Sequence, residues 1–464
     1  MHKLQNPASC TMPLLPCTNL KSTRNVVEND PYSYAPTHTV PVTPIPDQAP
    51  SVVLSSPYSD AGVGILQEPQ HVFTMASTSP RLTDRENSPE LTSALIHCFL
   101  DKFREDHFFY LPEMSINNSS ETLRSLSITV ILWATYLGAD SIYPEERLLA
   151  LAVSNAARDS TTLDHASNHQ TSIQLIQTHI LLSLYFLDHA IFMQGRHHCG
   201  IATSLAFGIG LHHLNAQLYA GPVPPQFLRN MGSRTPSLAT STDELTMLSK
   251  AFWAVVTLNH YWVAITGTPS HLPFDAIPVI STHQPTNNMD HILTQASICL
   301  QRIVAFTATA GYPPPEDDSR AFADELEAFT NTVLLPVGNR GGPTLTLSHL
   351  FIHAAVLQLH APYSNHSMTS NTKCWAAGEH MLACLAHMTT EQTASADIII
   401  APLLAVFAEF YLKTPNASTT ANVQRILAAL DAFSKSKGER STLIRICIAN
   451  IQAEAQFFQV HGMY

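Results

Sequence analysis

The densest group of metal-binding residue types is His197, His198 and Cys199, followed one helix later by His212 and His213. Imidazole and thiolate are zinc ligands, but a zinc site needs three or four of them converging on one point. Adjacent helical residues point about 100° apart, so His197 and His198 cannot easily face the same ion. We therefore expect no metal site here, and interpret the histidines as polar residues in roles that Lys and Arg fill elsewhere.

The motifs of common catalytic sites are also missing. Gly208–Gly210 follows a predicted helix rather than a strand, so it does not predict a dinucleotide loop. The sequence contains no Gly-x-Ser-x-Gly elbow and no Gly-Lys-Ser/Thr phosphate loop. Carboxylates are sparse, and the acidic run after Pro315 is typical of a helix start. We predict no catalytic residues, no cofactor and no enzyme activity.

Composition argues against a nucleic-acid-binding surface in this chain alone. Its 464 residues contain 24 Lys and Arg against 36 Asp and Glu, which gives a net charge of -12 with His neutral. Binding a polyanion by counterion release requires a surplus of basic residues that is absent here.

Cysteine usage and hydropathy indicate a reducing compartment and no membrane span. The 8 cysteines form no C-x-x-C pair, and no apolar signal segment follows Met1. The most apolar stretch, Ile398–Leu412, is shorter than the roughly 20 residues that cross a bilayer. We predict that it is a buried helix.

The chain divides into a tail and a helical body. Residues 1–88 carry twelve prolines among Ser and Thr without any helical or strand period, so we predict that they are disordered. From 89 to 464 the pattern is helix after helix, interrupted by Pro-rich loops near 219–242 and 269–285. We predict an all-α fold, a bundle of packed antiparallel helix hairpins.

The clearest apolar stripe runs from Ile173 to Ile191 at steps of three and four residues. This helix is predicted to end near Gly195, and a second helix over 197–209 is rich in Gly, Ala and Ser. Small residues let two helices approach closely, so we expect these two to form an antiparallel hairpin at the centre of the fold.

Residues 178–213 resemble the central signature of the fungal-specific transcription factor regulatory domain, also called the middle homology region. Their sequence is THILLSLYFLDHAIFMQGRHHCGIATSLAFGIGLHH. Members of that family carry a Leu- and Tyr-rich helix, then Gly-Arg, then a small-residue helix that ends in Gly-Leu-His. The corresponding residues here are Gly195, Arg196, Gly210, Leu211 and His212.

Two further segments agree with this resemblance. AFWAVVTLNHYWVAITGTPSHLPFDAI is similar to the family's Phe-Trp helix followed by a Gly-x-Pro turn, here Phe252, Trp253, Gly267 and Pro269. HLFIHAAVLQLHAPYS is similar to a His-Ala-Ala segment near the C-terminus of many members. Three segments in the family's order span roughly residues 90–390.

The resemblance implies a nuclear transcription regulator. In complete members six N-terminal cysteines hold two zinc ions and place a short helix in the DNA major groove. Members of the family often dimerise, so the resemblance implies that a homodimer is possible here. The helical region of the family is regulatory, and in some members it responds to a small molecule. Other partners that the resemblance implies are the transcription machinery or a second factor.

The six-cysteine cluster is absent from this sequence. Cys10 and Cys17 match the spacing of the last cysteine pair of such a cluster, and we expect either a remnant of a zinc site or two unrelated cysteines. Zinc is expected only in full-length relatives, and DNA contact only through the missing cluster. No basic import signal is present, so nuclear localisation rests on the resemblance alone.

Three functional interpretations remain open: a regulatory domain whose DNA-binding part lies elsewhere, a factor-like protein that binds a partner or small molecule without binding DNA, and, least favoured, an enzyme. A poorly charged helical domain can enclose an apolar pocket between helices. We expect such an effector pocket near Trp253, Tyr261 and Trp262, opposite the small-residue helix.

Overall fold

Proline and glycine mark two of the helix boundaries. Pro89 occupies the first position of the first helix, and Gly267, at φ +61°, follows the last residue of the helix that it terminates. Proline fits the first turn because its missing N–H would be unpaired there, and glycine adopts positive φ without a Cβ clash.

The computed structural model describes residues 89–103, 107–111, 122–138, 143–162, 169–213, 242–270, 272, 289–309, 316–334 and 342–460. All of these belong to one compact unit. The predicted tail 1–88, with Cys10 and Cys17, lies outside the described residues. So do residues 219–241 of one predicted Pro-rich loop and most of the other, 269–285.

Fourteen α-helices lie in these ranges, without any strand, so the predicted all-α fold class is confirmed. In chain order they are α1 (Pro89–Phe103), α2 (Arg124–Tyr136), α3 (Glu145–Thr162), α4 (His169–Asp188), α5 (Phe192–Gly208), α6 (Thr242–Thr266), α7 (Met289–Thr309), α8 (Glu316–Phe329), α9 (Gly342–His360), α10 (Met368–Ala386), α11 (Thr390–Ala394), α12 (Ile400–Lys413), α13 (Thr419–Ser436) and α14 (Thr442–Val460). A π-helical turn, Thr330–Leu334, follows α8, and a 3₁₀ turn, Ala361–Tyr363, follows α9.

Helices α4 and α5 form the predicted antiparallel hairpin. The Ser183 hydroxyl donates to the Gly195 carbonyl (2.8 Å), and His179 Nδ1 lies 2.8 Å from His198 Nδ1. Residue numbers therefore rise along one helix while they fall along the other, as an antiparallel pair requires.

The end of α4 lies earlier than predicted. The helix stops at Asp188, and Ala190 reverses the chain at φ +56°, after which the Ile191 amide donates to the Phe186 carbonyl (2.8 Å). This hydrogen bond is typical of helix ends that use glycine, but alanine makes it here. Gly195 instead lies in the first turn of α5, so the prediction that it ends the preceding helix is wrong.

Helix α4 is the centre of the packing. Its predicted stripe from Ile173 to Leu187 is buried, and so are Leu175 and Leu182 on its other sides. A helix that is apolar around its circumference belongs in a protein interior. Among the described helices, α2, α3, α5, α6 and α14 all pack against α4.

The two most membrane-like segments are both packed against other helices. Helix α12 covers most of the apolar stretch Ile398–Leu412 and is buried along nearly all of its length, so the predicted buried helix is confirmed. Helix α7 is long and apolar enough to cross a bilayer by length and composition, and 61% of its most apolar window is buried in the body. Such burial is typical of a core helix.

Five buried histidines share a depressed pKa. Burial is the largest cause in each case, and it lowers the pKa to about 3 or about 4 because a charged imidazole loses hydration in the interior. They are His179, His198, His260, His353 and His360.

We expect the free energy of unfolding to fall as the pH drops from about 6.5 towards 4, because unfolded histidines titrate near 6.5. In that window the unfolded chain binds up to five protons that the folded chain does not bind, so acid favours unfolding. Raised pKa values of buried carboxyls such as Asp188 act with the opposite sign. Urea unfolding measured across this pH range tests the direction.

His260→Gln provides the matched variant. His260 is fully buried, and its Nδ1 lies 2.8 Å from the Ser297 hydroxyl, a bond that a glutamine amide can replace. The variant can differ from the parent protein in absolute stability, but the proton uptake on unfolding should be smaller by about one proton. The free energy of unfolding should therefore change less steeply with pH. If the free energy of unfolding changes with pH equally in both proteins, the lowered pKa of His260 would be contradicted.

Candidate functional site

A cleft of about 400 Å³ opens between α5 and α6. Its volume lies in the range of sites that enclose small molecules. The residues that line it are Arg196, Cys199, Gly200, Thr203, Ser204, Phe207, Asn259, Trp262, Val263, Thr266, Thr268, Pro269, Ser270 and Leu272. We refer to this set as the α5–α6 cleft.

One wall is a single face of α5. Its residues recur at alternating steps of three and one from Arg196 to Phe207, which places them on one side of the helix. Gly200 lies in the middle of this face, and a Cβ built there meets no atom within 4 Å. The small side chains predicted for this helix therefore keep the wall open.

The opposite wall is the last part of α6 and the turn after it. Asn259, Trp262, Val263 and Thr266 again follow helical spacing and share one face. Beyond them Gly267 turns the chain at positive φ, so that 268–270 form the edge of the cleft.

The Trp262 ring is held in a fixed position. Its indole Nε1 donates to the Ser183 hydroxyl of α4 (3.1 Å), and that hydroxyl donates to the Gly195 carbonyl of α5 (2.8 Å). A Cβ on Gly195 would lie 2.5 Å from Trp262 Cζ2, so only glycine admits the ring. One side chain thus joins three helices and also lines the cleft.

Polar groups of the cleft are arranged by a short hydrogen-bond chain. Asn259 Nδ2 donates to the Thr203 hydroxyl (2.8 Å) and to the Val255 carbonyl (2.9 Å), while Thr203 donates to the Cys199 carbonyl (2.9 Å). Because a carbonyl only accepts, the Val255 bond fixes which end of the amide is nitrogen. Asn259 Oδ1 accepts no hydrogen bond within the described residues.

Arg196 is the cleft's only cationic side chain among the residues that line it, and none of them is acidic. It is exposed, and no described carboxylate forms an ion pair with it. Its guanidinium can bind a carboxylate through two parallel hydrogen bonds. The other chemically reactive group, the Cys199 thiol, is buried, which raises its pKa to about 12 and keeps it protonated.

The structure places only one of the three predicted pocket residues in the cleft. Trp262 lines it, whereas Trp253 stacks edge-on against Phe252 (5.2 Å between centroids) on the other side of the helix. Tyr261 is fully buried, and its hydroxyl donates to Asp397 Oδ2 (2.7 Å). A separation of nine residues turns a helix by two and a half turns, which explains why Trp253 and Trp262 face opposite ways.

The residues that carry the family resemblance are divided between cleft and core. Arg196 and Pro269 line the cleft, and Gly195 and Gly267 shape its walls. The others pack in or beside the hydrophobic core: Gly210 turns the chain at φ +78°, Leu211, Phe252 and Trp253 are buried, and His212 stacks on Phe207.

Sequence reasoning missed Asn259 and Thr203. Neither residue belongs to a known motif, so composition and spacing give no reason to select them. The available signal is helical phase, because Asn259 lies three residues before Trp262 and therefore on the same face of α6.

The predicted histidine cluster does not gather into a metal site in the described ranges, where no three His, Cys, Asp or Glu side chains are placed to hold an ion. His198 points into the α4–α5 interface, and its ring stacks on Phe186 (5.4 Å). His197 is exposed, and the rings of His212 and His213 contact each other at a tilt (3.8 Å between centroids). The expectation that the chain needs no metal stays a prediction.

A cluster of ionisable side chains is partly buried where α2, α3, α4 and α14 meet. Tyr185 donates to Glu145, and His189 Nε2 lies 3.3 Å from that carboxylate. The hydrogen bond from His189 lowers the pKa of Glu145. Burial lowers the pKa of His189, but its bonds to Glu145 and the Tyr185 carbonyl outweigh this and raise it.

These groups bind one another and join helix ends. Nearby, Arg440 of the segment before α14 donates to the Tyr136 carbonyl at the end of α2, while burial raises the pKa of Asp188. None of these residues lines the α5–α6 cleft. The absence of enzyme activity stays a prediction.

No protein-family model, curated protein or solved structure matches this chain. The site is therefore defined by its own geometry.

We expect Gly195→Ala to displace the Trp262 ring from its packing position against α5. The added methyl group would overlap the indole ring, break its hydrogen bond to Ser183 and cost about 1–3 kcal/mol of stability. Gly200 lies on the same helix but faces open space. Gly200→Ala should therefore leave the stability unchanged or raise it by up to about 1 kcal/mol through helix propensity. Thermal unfolding and tryptophan emission measure both effects, and equal behaviour of the two variants would contradict this packing.

Proposed function

We propose that this chain is the regulatory part of a transcription regulator of the fungal zinc-cluster kind, and that it senses a small effector in the α5–α6 cleft. One observation carries the proposal: two of the three segments that resemble that family form the two walls of the cleft. The proposal thus joins a sequence resemblance to a cavity of ligand size.

The mechanism that we propose is a shift between helix arrangements. Helix α5 belongs to the central α4–α5 hairpin, and α6 packs on α7, so the cleft lies between two parts of the body. A ligand that contacts both walls favours the arrangement in which they face each other, and this changes the surface offered to partners. The effect can be no larger than the ligand's difference in affinity for the two arrangements.

DNA contact is proposed to belong to a segment or chain other than the described helices. The net charge of -12 disfavours general binding to a polyanion, and the six-cysteine cluster is absent from this sequence. The proposed partners are the transcription machinery or a second factor, and the proposed compartment is the nucleus.

A tethering assay tests this function. The full chain, fused to a heterologous DNA-binding domain in a fungal host, should change reporter transcription several-fold relative to that domain alone, because the helical body supplies the regulatory surface. Protein levels measured by immunoblot provide the control. Equal transcription at equal protein levels would contradict a role in transcription.

We also expect the isolated chain to show no sequence-specific DNA binding at moderate salt, because its acidic charge repels the phosphate backbone. Electrophoretic mobility shift or fluorescence anisotropy with random and genomic fragments measures this. Selective binding to one sequence would overturn the proposed separation of regulation from DNA contact.

A further inference from the structure

We propose that the α5–α6 cleft binds a small organic monocarboxylic acid that carries a hydrogen-bond donor, such as a hydroxyl or ammonium group, on an apolar body. The inference rests on the effector-binding function proposed above and names the chemical class of the effector. Three features of the cleft support it in turn: its charge, its unused acceptor and its apolar wall.

The charge of the cleft selects an anion. Arg196 is the only ionisable cation on its lining, no lining residue is acidic, and no described carboxylate pairs with the guanidinium. A cationic ligand would therefore be repelled, whereas an anionic ligand would gain a charge-assisted hydrogen bond that a neutral ligand cannot form. The planar fork of arginine fits the two oxygens of a carboxylate.

A single guanidinium also limits the charge of the ligand. A phosphate group carries up to two negative charges near neutral pH and is normally held by several donors or by backbone amides of a glycine-rich loop. The lining residues include no second cation, and the sequence contains no phosphate loop. The cleft therefore matches a monoanion better than a phosphate ester.

The unused acceptor selects a donor on the ligand. Both hydrogens of Asn259 Nδ2 are engaged by Thr203 and Val255, which leaves Oδ1 as an acceptor on the cleft wall without a described partner. The hydroxyls of Thr203 and Ser204 donate to backbone carbonyls of their own helix and keep lone pairs that can accept. A ligand that brings a hydroxyl or ammonium group satisfies this side of the cleft.

The remaining lining selects an apolar body. Trp262 and Phe207 contribute aromatic surface, and Val263, Pro269 and Leu272 contribute aliphatic surface. Since Trp262 is fixed by its hydrogen bond to Ser183 and its packing on Gly195, this wall is already in place before a ligand binds. A preformed apolar wall reduces the ordering cost of binding.

The test uses the purified full chain and 3-phenyllactate, which carries a carboxylate, a hydroxyl and a phenyl ring. Two matched probes lack one feature each: 3-phenyllactamide lacks the charge, and 3-phenylpropionate lacks the hydroxyl. A third probe, phenyl phosphate, presents a phosphate monoester on a phenyl ring. Binding is followed by calorimetry and by tryptophan fluorescence, with Trp262→Phe as the spectroscopic control.

We expect 3-phenyllactate to bind more tightly than any of the other three probes. Arg196→Gln should weaken 3-phenyllactate by about tenfold or more, as expected for loss of a charge-assisted hydrogen bond, and should leave 3-phenyllactamide unchanged. Arg124→Gln, which changes an exposed arginine that does not line the cleft, should alter neither. Circular dichroism shows whether each variant is folded, and Arg196→Lys provides a second variant that keeps the charge without the fork.

Three results would overturn the inference: no binding of 3-phenyllactate, binding that Arg196→Gln does not weaken, or tighter binding of phenyl phosphate. These results are distinguishable from failure of the proposed function. A tethered chain that still changes transcription without binding the acid would retain the function and lose this ligand class. If the chain binds the acid through Arg196 but the tethered chain does not change transcription, the ligand class is retained and the proposed function is lost.

Discussion

The contact between the Trp262 ring and the bare backbone of Gly195 is the constraint on which the site depends. It brings α6 against the α4–α5 hairpin, and the Ser183 hydroxyl fixes the ring by accepting from the indole and donating to the Gly195 carbonyl. The same ring lines the cleft. Helix packing and the proposed binding surface therefore share one side chain, so a change that alters one is expected to alter the other.

Neutral histidines form several of the polar contacts in the interior of this poorly charged chain. His179 and His198 pair through their Nδ1 atoms across the hairpin, and His260 bonds Ser297 between α6 and α7. Imidazoles whose pKa values are lowered by burial provide one donor and one acceptor each without a buried charge. These histidines therefore bridge helices in the core without placing a charge there.

Sequence patterns predicted the helices more completely than the site. The stop at Gly267 follows from local rules, because helix termination there uses a glycine at positive φ. The turn at Ala190 does not follow from them, because alanine stands where glycine is usual, and the predicted end of α4 near Gly195 was therefore wrong. The role of Gly195 could not be read in this way, since it depends on Trp262, which lies 67 positions later in the chain.

The residues that line the cleft were also not predictable from local sequence, because they depend on contacts between distant parts of the chain. Aromatic content made Trp253, Tyr261 and Trp262 equal candidates, yet only one face of α6 meets α5, and that face carries Trp262 and Asn259. Helical phase groups those two residues, but which face is turned towards α5 depends on the packing of all the surrounding helices. The sequence alone does not contain that information in a local form.

Hydrogen–deuterium exchange on the full chain, with and without 3-phenyllactate, tests most directly whether a ligand in the cleft acts on the helices around it. We expect slower exchange along 196–207 and 259–270, on both walls, with little change in α13, which does not line the cleft. Exchange that stays the same on both walls at saturating ligand, or slows only in helices that do not line the cleft, would contradict it.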